Sequence, residues 1–158
     1  MMHLAEQTIA VLAERKLTCA ACESLTGGLI CATLVDVPGA SAVVRGGLVT
    51  YQTDTKTLLA GVDAALIAEK GVVSVEVARA MAEGTRLRLG VDIAVSATGL
   101  AGPGGGTPEL PVGTVCIGIS TSRETRAVRL LLSGDRAEIR RQAVEHAIQT
   151  IYDAAMGM

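Results

Sequence analysis

The sequence predicts a three-layer α/β/α fold with a mixed central sheet. Three observations carry this expectation. First, helical periodicity and short apolar runs alternate in the order helix, strand, helix, strand, two short helices, helix, strand, strand, strand, helix. Helices on both faces of a sheet are the natural packing of that order. Second, a polar turn or a glycine-rich loop follows the early strand runs, as in α/β proteins whose strand ends carry function. Third, no proline- or glycine-rich linker separates two apolar cores, so residues 1–158 are expected to form one domain.

Residues 3–15, "HLAEQTIAVLAER", form an amphipathic pattern with Leu4, Ile9, Leu12 and Ala13 on the apolar side. A short buried strand fits residues 17–22. "ESLTGG" breaks it, and "GGLICATLVDV" resumes as a helix that stops before Pro38. "AVVRGGLVTY" is the second strand, and its paired glycines mark a bulge or a close approach. Two short helices follow, in "QTDTKTLLAG" and "DAALIAEKG". Ser74 is the N-cap of the next helix, which places Val77, Ala80, Met81 and Gly84 on one face. "VDIAVSATG" is apolar on both faces and is expected at the centre of the sheet. The last two strands, "VGTVCIGIST" and "ETRAVRLLL", lie close enough in sequence to pair antiparallel. Thr125, Ala127 and Arg129 are expected on the wetter face of the second. Asp135 and Glu138 form a capping-box pattern that opens the final helix.

Composition narrows the function. Apolar residues make up 49% of the chain and charged residues 19%, which is a globular balance. A net charge of −2, with no Phe or Trp and two tyrosines, argues against nucleic acid as the partner. No apolar stretch is long enough to cross a membrane, and no secretory leader is apparent, so a soluble cytoplasmic protein is expected. The scarcity of aromatic mass and the aliphatic helices point to burial of surface in a homodimer or higher homo-oligomer. Cys19 and Cys22 form a CxxC, but no second pair or nearby histidine completes a zinc set. Buried thiols are the expected state, with neither metal nor cofactor.

Four groups of residues carry chemical potential. Ser24 sits between a strand and a helix, where backbone N–H groups are free to stabilise developing negative charge. That position suits a nucleophile. Ser24 or Thr26 as a simple helix N-cap explains the same pattern. Lys56 follows the second strand, and desolvation there would make it a base; an exposed helix lysine is the alternative. Tyr51, in the same segment, either contacts the substrate or Ser24, or closes the strand end. Arg136, Arg140 and Arg141 crowd the positive end of the last helix. An anionic ligand relieves that conflict, as would neutralisation by Asp135, Glu138 and Glu145. Glycines and prolines crowd residues 96–114, where "GLAGPGGG" offers a nest of N–H groups for an oxyanion or phosphate.

Taken together, "ESLTGG", "GGLVTYQTDTK", "GVVSVEVARAMAEG", "SATGLAGPGGGTPELPVGTVCIGI" and "GDRAEIR" resemble the C-terminal domain of the competence/damage-inducible protein CinA. That domain also occurs as a stand-alone nicotinamide-nucleotide amidohydrolase. The resemblance runs from about residue 5 to 155. It implies hydrolysis of the carboxamide of nicotinamide mononucleotide by a Ser/Lys mechanism without metal. Ser24 matches the family's nucleophile, Lys56 its base and Tyr51 its tyrosine. Thr26, Gly27, Gly28, Gly102, Gly104, Gly105, Arg136 and Arg140 fall where substrate is bound. The chain departs from the pattern at Leu25, often cysteine, at Leu110, commonly lysine, and at Leu132, often aromatic. The Leu110 difference alters charge near the ligand. A pyridine mononucleotide is thus the expected small-molecule partner. A non-catalytic mononucleotide-binding or regulatory role, and hydrolysis of another amide, are the alternatives.

Overall fold

Strand β1 (Cys19–Glu23) lies between β2 (Val44–Val49) and β3 (Ile93–Gly99) and runs parallel to both. Strands β4 (Thr114–Ser120) and β5 (Thr125–Leu131) extend the sheet antiparallel, giving the order β2-β1-β3-β4-β5. The computed structural model describes residues 1–158. Helices α1 (Met2–Glu14), α2 (Leu29–Val35) and α6 (Arg136–Met156) cover one face. Helices α3 (Thr53–Ala60), α4 (Ala64–Lys70) and α5 (Val75–Leu89) lie on the other. The result is the expected three-layer α/β/α arrangement around a mixed sheet. No helix is long and apolar enough to cross a membrane.

The sheet faces follow from the two-residue period of the strands. Cys19, Ala21, Ile93, Val95, Ile117 and Ile119 join the larger core with α1 and α6. Cys22 faces the other way, into a smaller core with Val77, Met81 and Ala60. The CxxC is therefore split across the sheet. All four cysteines are free thiols, and burial pushes Cys19 and Cys31 up to about 12. As expected, β3 is central, and all its residues but Gly99 are buried.

Local signals act at the helix ends. The Ser74 hydroxyl accepts from Val77 N, and Asp135 and Glu138 form the full capping box. On α1 the core face is Ala5, Thr8, Ile9 and Leu12, whereas Ala13 is exposed, one position off the stripe. Helix α2 starts two residues later than its apolar pattern suggests, because Gly27 and Gly28 both take left-handed backbone.

On β5 the expectation for a wetter face is not met. Thr125 and Ala127 are half-buried, while Arg126, Val128, Arg129 and Leu131 are exposed. The strand is an edge. Leu130 and Leu132 pack on the larger core, and Thr125 and Ala127 lie on the α5 side, so each face is covered over only part of its length.

Gly84 fixes how closely α3 approaches α5. A Cβ there would collide with the Ala60 carbonyl oxygen. Gly84→Ala is expected to destabilise the fold by about 1–3 kcal/mol through overpacking, read from urea unfolding midpoints. It would also displace the helix that carries Lys56. A Gly84→Ala protein as stable as wild type would contradict this packing.

Strand order matters for function. Helix α2 leaves β1 on one face, and the chain from β2 to β3 crosses on the other. The sheet therefore has a switch point between β1 and β3. In open α/β sheets, ligands bind outside the carboxyl ends of the strands at such a point. Ser24 follows β1 there, and the glycine-rich loop follows β3.

Candidate functional site

The residues beyond β1 and β3 enclose a cleft of about 340 Å³, within the range of small-molecule sites. Ser24, Tyr51, Thr98, Gly102, Gly104 and Arg136 contribute to its lining.

Ser24 is 7% exposed, and its N–H donates to Ala97 O across the sheet at 3.0 Å. The side chain meets Lys56, whose Nζ lies 3.2 Å from Ser24 Oγ. Lys56 also donates to Thr50 O at 2.6 Å. It belongs to α3, where Lys56 and Ala60 form the buried side and Asp54, Thr57 and Leu58 face outward. The side chain is fully buried. The chain's two ion pairs, Lys70–Glu69 and Arg126–Glu124, both lie elsewhere. Loss of hydration therefore holds the Lys56 amine below the usual lysine range; the Cys22 sulfur acts weakly in the opposite direction. Burial raises Cys22 itself, which keeps it a neutral thiol. A buried serine thus lies in hydrogen-bond contact with a buried lysine that has no counter-ion, an arrangement in which a proton can pass between the two.

The turn after Ser24 supplies unused donors. Gly27 N donates to Ser24 O at 3.1 Å and Leu29 N to Thr26 O at 3.0 Å, whereas the N–H groups of Leu25, Thr26 and Gly28 have no partner within the chain. The loop beyond β3 is anchored by Leu100 N to Thr114 O and Gly113 N to Leu100 O. The N–H groups of Gly102, Gly104 and Gly105 bond to nothing in the chain. A Cβ at Gly102 would overlap Val112, and its φ of +78° favours glycine. The loop's crowding with glycine is explained here: it brings bare backbone N–H groups to the rim of a cleft.

The two arginines of α6 separate. Arg136 donates to Gly102 O at 2.7 Å and to Tyr51 Oη at 3.2 Å, across the cleft mouth. Arg140 lies beneath the serine turn, with Nε on Leu25 O at 2.8 Å and Nη2 on Thr26 O at 3.2 Å. Their mutual repulsion is relieved by carbonyl oxygens, and neither pairs with Asp135, Glu138 or Glu145. Tyr51 is 60% exposed and is bonded to Arg136, not to Ser24.

Sequence reasoning missed two residues. Thr98, buried at the end of β3, donates to Val72 O at 3.0 Å and so fixes the valine wall of the cleft. Glu23, 1% exposed, accepts from Ile30 N at 2.8 Å and Cys31 N at 3.1 Å, and thus caps α2 from seven residues upstream. The available signal was an acidic residue directly before the turn serine, ahead of a helix whose start has glycine in place of a cap. No three His, Cys, Asp or Glu side chains come together as a metal-holding group.

A profile of the CinA C-terminal domain matches residues 1–155. A CinA-like protein of Gemmatimonas aurantiaca is 47% identical over 148 residues, 94% of this chain and 35% of that protein. A CinA-like protein of Chlorobaculum tepidum is 49% identical over 151 residues, 92% of this chain and 36% of that protein. The chain thus spans about a third of the length of these curated relatives. Among solved structures, competence/damage inducible protein CihA from Agrobacterium tumefaciens superposes with a TM-score of 0.94 at 35% identity, covering 96% of this chain and 93% of that one. A CinA superfamily protein from Klebsiella pneumoniae superposes with a TM-score of 0.94 at 27% identity, covering 99% and 98%.

Proposed function

The chain belongs to the CinA C-terminal domain family, and from that membership and its buried Ser24–Lys56 pair we propose that it hydrolyses the carboxamide of nicotinamide mononucleotide. The products are nicotinate mononucleotide and ammonia. The observation that carries this reading is the 3.2 Å contact between Ser24 Oγ and a lysine held below its usual pKa by burial.

In the proposed course, neutral Lys56 keeps one N–H on Thr50 O and turns its lone pair to the Ser24 hydroxyl. Ser24 Oγ attacks the carboxamide carbon while its proton passes to Lys56 Nζ. The positive pyridinium ring makes that carbon more electrophilic. The unused N–H groups of Thr26 and Gly28 hold the oxyanion; Gly27 N is engaged with Ser24 O. Lys56 then returns the proton to the leaving nitrogen, and the C–N bond breaks to release ammonia. Water, losing its proton to Lys56, opens the acyl-serine ester and restores Ser24. The N–H groups of Gly102, Gly104 and Gly105 suit the substrate phosphate, with the Arg136 guanidinium. Arg140 braces the serine turn in this reading, since it bonds to Leu25 O and Thr26 O and does not line the cleft, as Arg136 does.

Arg136→Ala would then raise KM for nicotinamide mononucleotide about 10–100-fold while kcat changes little, as for the loss of a charge-assisted hydrogen bond. Steady-state kinetics check this. An unchanged KM would remove Arg136 from the phosphate site.

A second reading is favoured by a specific observation. Tyr51 is hydrogen-bonded to Arg136 and not to Ser24. A domain that binds a mononucleotide without turnover fits that pairing. Calorimetric titration with nicotinamide mononucleotide beside an ammonia assay separates the two. Binding accompanied by equal ammonia and nicotinate mononucleotide, with or without chelator, is expected. Binding without ammonia would establish the regulatory reading, and neither signal would redirect the search to another amide.

A further inference from the structure

The N–H groups in the first turn of α2 need acceptors, and the hydroxyls nearest in sequence belong to Ser24 and Thr26. Neither hydroxyl serves. Gly28, just ahead of the helix, has no capping side chain. The Thr26 hydroxyl is buried without any partner, and the Ser24 hydroxyl lies on Lys56. The acceptor is the Glu23 carboxylate, which takes Ile30 N on one oxygen at 2.8 Å and Cys31 N on the other at 3.1 Å. No lysine, arginine or histidine forms an ion pair with it, and these helix N–H groups are its backbone partners. The main chain of Glu23 is fixed as well, since its carbonyl accepts from Thr50 N at 2.8 Å. The turn of residues 24–28 is therefore closed at one end by the sheet and at the start of α2 by the Glu23 carboxylate, with Arg140 on the carbonyls of Leu25 and Thr26 between them.

We infer that Glu23 is a positioning residue for Ser24. By capping α2 in place of the turn hydroxyls, it leaves Ser24 Oγ to Lys56 and leaves the N–H groups of Thr26 and Gly28 facing no competitor. The inference rests on the assignment of Ser24 as nucleophile. Glu23→Gln keeps the side chain's size but sets an amide N–H₂ against one of the two helix N–H groups. The donor left unsatisfied then competes for the Ser24 and Thr26 hydroxyls. Glu23→Asp keeps the charge but falls one methylene short.

The test compares wild type, Glu23→Gln and Glu23→Asp. Circular dichroism gives the folded fraction, a fluorophosphonate probe gives the labelling rate of Ser24, and steady-state kinetics give kcat and KM for nicotinamide mononucleotide. In folded Glu23→Gln, labelling rate and kcat are expected to fall together by about 10–100-fold, with KM within about threefold of wild type. Glu23→Asp is expected to show the same split. A folded variant with wild-type labelling and kcat overturns the inference alone. So does a loss that merely tracks the unfolded fraction, or failure of both variants to fold, since Glu23 would then serve stability only. A wild type that turns over substrate while Ser24 stays unreactive overturns the nucleophile assignment, and the inference with it.

Discussion

Ser24→Ala is expected to lower kcat for nicotinamide mononucleotide hydrolysis by roughly 10⁴–10⁶-fold while leaving KM or the binding constant near wild type. The size follows from the role. Without Oγ there is no acyl-enzyme, and the remaining rate comes only from binding and the turn's N–H groups acting on direct attack by water. The fold should tolerate the change. Ser24 Oγ has one recorded side-chain partner, Lys56, and that lysine keeps Thr50 O. Kinetics alongside a thermal melt check both halves. A loss of only a few-fold in a folded variant would make Ser24 a turn residue and return the helix-cap explanation of the "ESLTGG" pattern.

The second large effect is at Lys56. Lys56→Met should lower kcat by about 10²–10⁴-fold, the usual contribution of a positioned base. In wild type, kcat/KM should rise with pH through the folded-state pKa of Lys56, because only the neutral amine accepts the serine proton. The same residue makes a stability prediction of definite sign. Its folded-state pKa is lowered by burial, and the unfolded value is about 10.4. Between those two values Lys56 carries one more proton in the unfolded chain than in the folded one, so its own contribution to stability rises with pH across that window, against the fall that the buried thiols impose above their unfolded value of about 8.5. Below the folded-state pKa both states are charged, and the whole penalty of burying the cation remains. Lys56→Met removes that contribution and keeps the thiols, so the stability of wild type relative to the variant should rise with pH. The variant should also be the more stable protein at neutral pH, apart from about 1 kcal/mol for each of the two hydrogen bonds lost, at Thr50 O and Ser24 Oγ. Urea unfolding of both proteins across the neutral to alkaline range measures this. A wild-type stability that does not increase with pH relative to that of Lys56→Met would contradict a depressed lysine.

These two effects rest on a fold that local sequence signals largely disclose. The Ser74 cap, the Asp135–Glu138 box and the doubly apolar β3 are encoded within a few residues, and each is present. The antiparallel pairing of β4 with β5 follows from the short connection between them. What stayed hidden depends on contacts between distant segments. Which residues of β5 meet solvent is decided by where α5 and α6 cover the two faces of an edge strand, and no alternation along that strand records it. Glu23 reads as one acid among many until α2 brings Ile30 and Cys31 to it. The arginines of α6 illustrate the same limit. Their crowding at a helix start announces an unmet acceptor, but whether the acceptor is a ligand or the carbonyls of a turn 115 residues away is a matter of tertiary geometry. Ser24 and Tyr51, by contrast, could be singled out because each stands at a break between elements, and Lys56 because it lies in the polar segment that follows β2.

The pairing of Ser24 with Lys56 in covalent catalysis is tested most directly by rapid quenching of the enzyme during turnover of nicotinamide mononucleotide, followed by mass spectrometry of the peptide that contains Ser24. Wild type should carry a nicotinate mononucleotide ester on Ser24 and release ammonia, and Ser24→Ala and Lys56→Met should show neither at the wild-type rate. Ammonia release by Ser24→Ala at the wild-type rate, with no ester on the wild-type peptide, would contradict the account.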